Sequence, residues 1–159
     1  MAMQYKKLIM LIIIILCVIS LSITIKNYIT YQQIKKNAIE NITELGQTSD
    51  KISYHIDEFN QDGDRLYIRG WAVIRGQDNS NIKHNIILKD EATGKYYSFE
   101  TSSEKRIDIT KHFNDGFYYD NGGFLVNIDD YFKKGDYHIG IQIILNGEKY
   151  FVLTSNKIN

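Results

Sequence analysis

From Leu8 to Ile25 the chain is apolar without a break. These eighteen residues, LIMLIIIILCVISLSITI, contain no charge, glycine or proline. At 1.5 Å rise per residue, roughly 20 such residues cross a ~30 Å hydrocarbon core, so the run predicts a transmembrane helix. Its polar members, Ser20, Ser22 and Thr24, can return their hydroxyls to carbonyls one turn back. Beyond the run the pattern turns polar with a helical period. Tyr31, Ile34, Ala38 and Leu45 fall on an a/d register with Asn41 in the remaining seam position, and Gly46 stands where a helix end wants positive φ. This predicts a helical stalk over 26–46, either a single arm or the seam of a short parallel homodimer.

After a polar hinge over 47–51 the period changes to two. Alternation predicts strands over Ser53–Phe59, Arg65–Arg75, Ile82–Lys89, Tyr96–Thr101, Gly123–Ile128, Tyr137–Leu145 and Glu148–Leu153. Asn146-Gly147 between the last two is a strong hairpin signal, since both turn positions need positive φ. In RLYIRGWAVIR, Leu66 and Ile68 face inward, and Trp71 or Val73 follows across an irregularity at Gly70. Residues 102–122 read as irregular, with one helical turn around Ile109 to Phe113. About seven short strands with turn chemistry between them predict an all-β fold, an antiparallel immunoglobulin-like β-sandwich with Trp71 and Phe124 in its core. The resulting order is a cytoplasmic tail (1–7), transmembrane helix (8–25), helical stalk (26–46), hinge (47–51) and β-sandwich (52–159).

Two lysines, Lys6 and Lys7, precede the apolar run as in a secretory signal. The downstream flank Thr24-Ile25-Lys26-Asn27-Tyr28 has no A-x-A-like pair, and Ile15-Leu16 before Cys17 exclude a lipoprotein site. An uncleaved signal anchor in the cell membrane is therefore expected. Positive-inside counting is close to a tie, with Lys6, Lys7 and the α-amino group against Lys26, Lys35 and Lys36. A short tail before a large hydrophilic domain is the layout that places the C-terminal domain outside the cytoplasm.

Charge sharpens the division. The 159 residues carry 19 basic and 19 acidic groups, yet residues 1–49 have a net charge of +3 and residues 50–159 of −3. A slightly acidic domain argues against a nucleic-acid partner, which needs a basic patch to displace phosphate counterions. Cys17 is the only cysteine and lies in the apolar run, so no internal disulfide or cysteine-based metal site can form. The absence of proline, with abundant Ile, Lys and Asn, suggests an AT-rich bacterial genome.

Candidate chemistry is sparse. Arg106, Asp108, His112, Phe117, Tyr118 and Tyr119 share the longest irregular segment. Aromatic faces there suit sugar C–H groups, with Arg and Asp to fork onto hydroxyls. The alternative is structural: Phe113, Phe117 and a tyrosine plug the end of the sandwich while Arg106 and Asp108 pair. Asn60-x-Asp62-Gly63-Asp64 has calcium-loop oxygens, but Trp71 stands where the bidentate Glu belongs, so a plain turn is expected. Asp129-Asp130 point to opposite faces of an extended chain and make no acid/base pair. The Asn41-Ile42-Thr43 sequon reads as chance on a bacterial helix. His55, His84, His112 and His138 have no ligand spacing, and neither a nucleophile motif nor a phosphate-cradling loop is present. No metal, cofactor or enzymatic activity is expected.

Several fragments together carry a resemblance: Tyr54-His55-Ile56-Asp57, Ile68-Arg69-Gly70-Trp71-Ala72, Arg106-Ile107-Asp108-Ile109, Gly122-Gly123-Phe124 and Lys134-Gly135-Asp136-Tyr137-His138-Ile139-Gly140 before the closing hairpin. Over about 52–158 the chain resembles small β-sandwich modules of Gram-positive bacteria, found behind one membrane anchor or attached to membrane proteins of surface-polysaccharide assembly. The resemblance implies the fold and an envelope location, and no activity. The reading is a non-catalytic, single-pass envelope protein whose sandwich binds a cell-surface glycan or envelope protein. The alternative is an assembly factor acting through its membrane helix and stalk. A pilin-like subunit would need a prepilin motif and an early helix Glu, which are missing.

Overall fold

The computed structural model describes residues 2–39, 42–62, 65–129 and 135–158. The chain forms two compact units, Met1–Lys36 and Asn37–Asn159.

The first unit is one helix, α1 (Ala2–Asn37), of 36 residues. It is long and apolar enough to cross a membrane, and its length at 1.5 Å per residue is ~54 Å. As expected from the sequence, Ser22 Oγ donates to the Val18 carbonyl at 2.8 Å and Thr24 Oγ1 to that of Ser20 at 3.0 Å.

The helix stops at Asn37, well short of Gly46. Ala38–Ile39 form a short strand, β1, and Ile42–Leu45 form a single 3₁₀ turn. The cause is tertiary. Ala38 and Ile39 pair antiparallel with Tyr97 and Tyr96, and Leu45 is buried. Such contacts outweigh helix propensities of tenths of a kcal/mol per residue. Gly46 does have positive φ, 104°, but it follows the 3₁₀ turn. Gln47, expected in a hinge, instead bridges Tyr150 in parallel: its N–H donates to Lys149 O at 3.0 Å, and its carbonyl accepts from Phe151 N at 2.9 Å. The 26–46 stalk is thus helical only to Asn37, and its seam position Asn41 lies outside the described residues.

The remaining strands are β2 (Ile52–Asp62), β3 (Arg65–Ile74), β4 (Lys83–Asp90), β5 (Tyr96–Glu100), β6 (Ser102–Glu104), β7 (Gly123–Asp129), β8 (Tyr137–Leu145) and β9 (Glu148–Ile158), with helix α2 (Ile107–Phe113) between β6 and β7. Among the described residues there are nine strands rather than about seven, because the short β1 and β6 carry no readable period. They make two antiparallel sheets, ordered β1-β5-β4-β8-β9 and β2-β3-β7-β6. Asn146 and Gly147 have φ of 52° and 88°, the positive pair that a two-residue hairpin requires. The calcium-like turn and Asp129-Asp130 fall partly outside the described residues, at Gly63, Asp64 and Asp130.

Alternation builds the core. Ile86 and Leu88 on β4, Ile139, Ile141 and Ile143 on β8, and Ile68 on β3 are wholly buried with Phe124 of β7. The irregularity expected at Gly70 lies instead in β2, between Ile56 and Glu58, while β3 keeps one register through Trp71 against β7. Ala72, not Trp71, therefore shares the buried face with Ile68, and Trp71 is only half-buried. Trp71 belongs to a second cluster of Val73, Ile109, Tyr119 and Phe113, which covers the other face of the four-stranded sheet.

Ala38–Ile39 lie at the β5 edge of the five-stranded sheet and Gln47 at its β9 edge, the two ends of a strap that includes Ile42–Leu45. Gln142 of β8 holds this strap, with Nε2 donating to Glu44 O at 2.7 Å and Leu45 O at 2.9 Å, and Oε1 accepting from Asn85 Nδ2 at 2.9 Å. Gln142→Leu strands those carbonyls, and a loss of about 1–3 kcal/mol is expected. Gly46→Ala is expected to cost at least about 1 kcal/mol from its φ alone, and its Cβ would meet the Lys149 carbonyl carbon at 2.4 Å. Denaturant midpoints of the full-length variants check both. A neutral Gln142→Leu would show that the strap adds nothing.

Candidate functional site

The segment 106–122 forms a cap on the four-stranded sheet. Helix α2 lacks a side-chain N-cap, but Asn114 closes its C-terminal end with φ 46° and an N–H to Thr110 O at 3.0 Å. Thr110 Oγ1 donates to Asp120 Oδ1 at 2.5 Å and accepts from Tyr119 N at 2.8 Å. These bonds turn Tyr119 inward, where it is fully buried. Its hydroxyl donates to Asp115 Oδ2 at 3.0 Å and accepts from Gly76 N at 2.9 Å, and burial pushes its pKa up. Phe113 packs edge-on against Tyr119 at 5.3 Å and Trp71 at 5.9 Å, with the Arg75 guanidinium 4.5 Å above its ring.

The candidate residues accordingly separate. Tyr119 is in the core and Tyr118 is half-buried, with its hydroxyl 3.5 Å from Asn121 Oδ1. Phe117 and Ile107 are exposed. His112 is exposed and packs edge-on against Phe113 at 5.1 Å. Arg106 forks onto Asp108 at 2.9 and 2.8 Å and also reaches Asp57, the bulge residue of β2. Beside it Arg69 forks onto Glu104 at 2.8 and 2.5 Å and reaches Glu58 at 3.0 Å. The hydrogen bond from Arg69 holds Glu104 below the usual carboxylate range, and that from Arg106 does the same for Asp108. Each guanidinium is saturated by two carboxylates, so this face is a closed, net acidic ion-pair lattice. Among the described residues no group of three His, Cys, Asp or Glu could hold a metal ion.

Two positions escaped the sequence reading. Asn79, fully buried, fastens the cap to the β3–β4 connection. Its Oδ1 accepts from Ile74 N at 2.9 Å, its Nδ2 donates to Ile74 O and Gln77 O, and its N–H meets Tyr118 O at 2.9 Å. Nothing in its local spacing announced it. His84 was legible, because period two places it on the face of Ile86 and Leu88. It sits between the sheets, Nε2 2.8 Å from Ala72 O and its ring 5.4 Å from that of Phe124. A carbonyl only accepts, so Nε2 carries the proton and Nδ1 a lone pair. His84 also lines a cavity of about 470 Å³ with residues of β4, β5 and β6.

Comparison with known proteins returns no match: no family profile, curated protein or solved structure matches this chain.

Burial disfavours the charged imidazole and lowers the His84 pKa from 6.5 to about 4. Below pH 6.5 the unfolded chain takes up this proton and the folded chain does not. His84's contribution to stability is therefore complete above pH 6.5 and declines as pH falls to about 4, by about 3 kcal/mol in all. Denaturant unfolding of the full-length protein between pH 7 and 4 (roughly the window in which histidine titrates) should show this slope, and His84→Gln should flatten it. An unchanged slope in the variant would refute the assignment.

Proposed function

We propose that the protein is a single-pass, non-catalytic envelope protein, anchored by α1, which displays its β domain outside the cytoplasm and binds a glycan or protein partner at the cell surface. The observation that carries this reading is the apolar α1, continuous in sequence with a two-sheet domain whose cap leaves Phe117 and Ile107 exposed and Tyr118 half-buried. Exposed aromatic and aliphatic groups on a braced loop are the kind of surface that partners use. The immunoglobulin-like affinity of the sandwich belongs to the same proposal, supported by its two antiparallel sheets.

A second reading, an assembly factor working through its helix, draws support from the strap. Ala38, the first strap residue, directly follows the last helical residue, Asn37. In that case the domain serves as a docking spacer.

The two separate in one experiment on the full-length protein in lipid nanodiscs, challenged with isolated cell-surface polysaccharide and with solubilised membrane proteins. Phe117→Ala/Tyr118→Ala spares the buried Tyr119 and is expected to weaken capture about tenfold or more, the scale of an interface hot spot. Exchanging Leu8–Ile25 for an unrelated apolar helix is expected to leave capture unchanged. Capture lost on the helix exchange and untouched by the cap variant would refute the binding reading in favour of the second.

A further inference from the structure

The four-stranded sheet ends at β2, and among the described residues no strand pairs with the far edge of β2. This strand has eleven residues, as does β9 at the end of the other sheet, but β9 has Gln47 bridged against it. Natural sheets blunt long free edges with proline, inward-pointing charges or bulges. β2 contains no proline, and its inward residues Ile52, Tyr54, Ile56, Phe59 and Gln61 carry no charge. Its one irregularity is the bulge between Ile56 and Glu58.

The registers show which groups the open edge presents. Arg75 N donates to Lys51 O at 2.9 Å, and Ala72 N donates the other way, to Gly122 O at 2.9 Å. Odd-numbered residues of β3 therefore bond toward β2, and even-numbered ones toward β7. Ser53, His55, Glu58 and Asn60, opposite Val73, Trp71, Arg69 and Tyr67, spend their backbone groups on β3. The inward residues, opposite Ile74, Ala72, Gly70, Ile68 and Leu66, turn N–H and C=O to the open edge. Four of them, Ile52, Tyr54, Ile56 and Phe59, are only half-buried, although their neighbours Ile68 and Ala72 are wholly buried. Unpaired backbone and uncovered apolar surface thus coincide on one strand.

The side chains of β2 complement themselves. Two antiparallel self-pairings keep inward residues opposite inward ones on both flanks of the bulge. One of them sets Asp57 opposite Glu58 of a second copy, and does so twice, which like charges disfavour. The other sets Lys51 opposite Asp62, His55 opposite Glu58 and Tyr54 opposite Phe59, with the bulge at the two-fold axis. Charge selects the second. Asp57, then close to the axis, is already paired with Arg106.

We propose that a second copy of this chain pairs along β2 about a two-fold axis, joining the two four-stranded sheets edge to edge into one continuous sheet. An isologous contact of this kind closes as a dimer. It uses neither the cap nor the stalk seam over 26–46.

The test uses the full-length protein in detergent micelles, with Cys17→Ser removing the native thiol. In this register Ser53 and Asn60 of the second copy form a non-hydrogen-bonded pair, with Cα atoms ~4.5 Å apart. That is within the ~7 Å a disulfide can span, whereas two Ser53 residues lie ~23 Å apart at ~3.3 Å per residue. A mixture of Ser53→Cys and Asn60→Cys proteins is therefore expected to yield a cross-linked dimer under mild oxidation, and each protein alone none. Sedimentation equilibrium is expected to show dimerisation weakened about tenfold by Lys51→Glu and restored by Lys51→Glu/Asp62→Lys. A protein that stays monomeric in the micelle would overturn the proposal. So would a dimer that the mixture does not cross-link, which would assign association to the helix or the stalk. Cross-linking of Ser53→Cys to Asp62→Cys in place of Asn60→Cys, or a charge exchange that restores nothing, would overturn it equally, because the charge match selects the register. Loss of capture in the cap variant with the dimer intact would implicate the cap reading alone.

Discussion

The fold depends on one polar side chain that strand alternation places on the outer face of β8, between the core residues Ile141 and Ile143, and that is nonetheless buried. Gln142 lies mid-strand in β8, nearly fully buried, and an amide buried there without partners would cost several kcal/mol. It is stabilised because it faces two orphan carbonyls of a 3₁₀ turn and the amide of Asn85. The strap and Gln142 therefore require one another. Without the strap the amide nitrogen loses both of its acceptors, and without the amide the Glu44 and Leu45 carbonyls lose their donor. Gly46 and Gln47 then complete the crossing at the β9 edge.

The two sheets are covered differently on their outer faces, and this distributes the chemistry. The five-stranded sheet is crossed by the strap and roofed by Phe151, whose ring occupies the space over Gly140, where a Cβ would lie 2.5 Å away. The four-stranded sheet carries α2, Tyr119 and the saturated arginine lattice. Both faces are largely committed to structure. Exposed apolar groups remain on the cap, at Phe117 and Ile107.

Much of this was legible in the residues. The apolar run, the β4, β7 and β8 alternations and the Asn-Gly turn are local signals, and the structure follows them closely. What was not legible is what tertiary contact decides. A helical a/d pattern through Leu45 gave way because Tyr96, Tyr97 and Gln142 offered its backbone better partners. Trp71 left the inter-sheet core because the bulge fell in β2 and not at Gly70, and one residue of register exchanges the faces. Of the candidate loop, the pairing of Arg106 with Asp108 could be read from spacing. The burial of Tyr119 against the exposure of Phe117 could not, since both are aromatic residues two positions apart and only the Thr110–Asp120 brace separates them.

Amide hydrogen exchange on the full-length protein in lipid nanodiscs tests the strap most directly. If residues 38–47 are part of the folded domain, the Gln47 and Phe151 amides, each bonded across the strap junction at 3.0 and 2.9 Å, will exchange only on the slow timescale of β4 and β8. If the segment is an independent stalk or hinge, Gln47 will exchange as fast as an exposed loop while the sheet amides stay protected. That result would contradict the mutual dependence of the strap and Gln142.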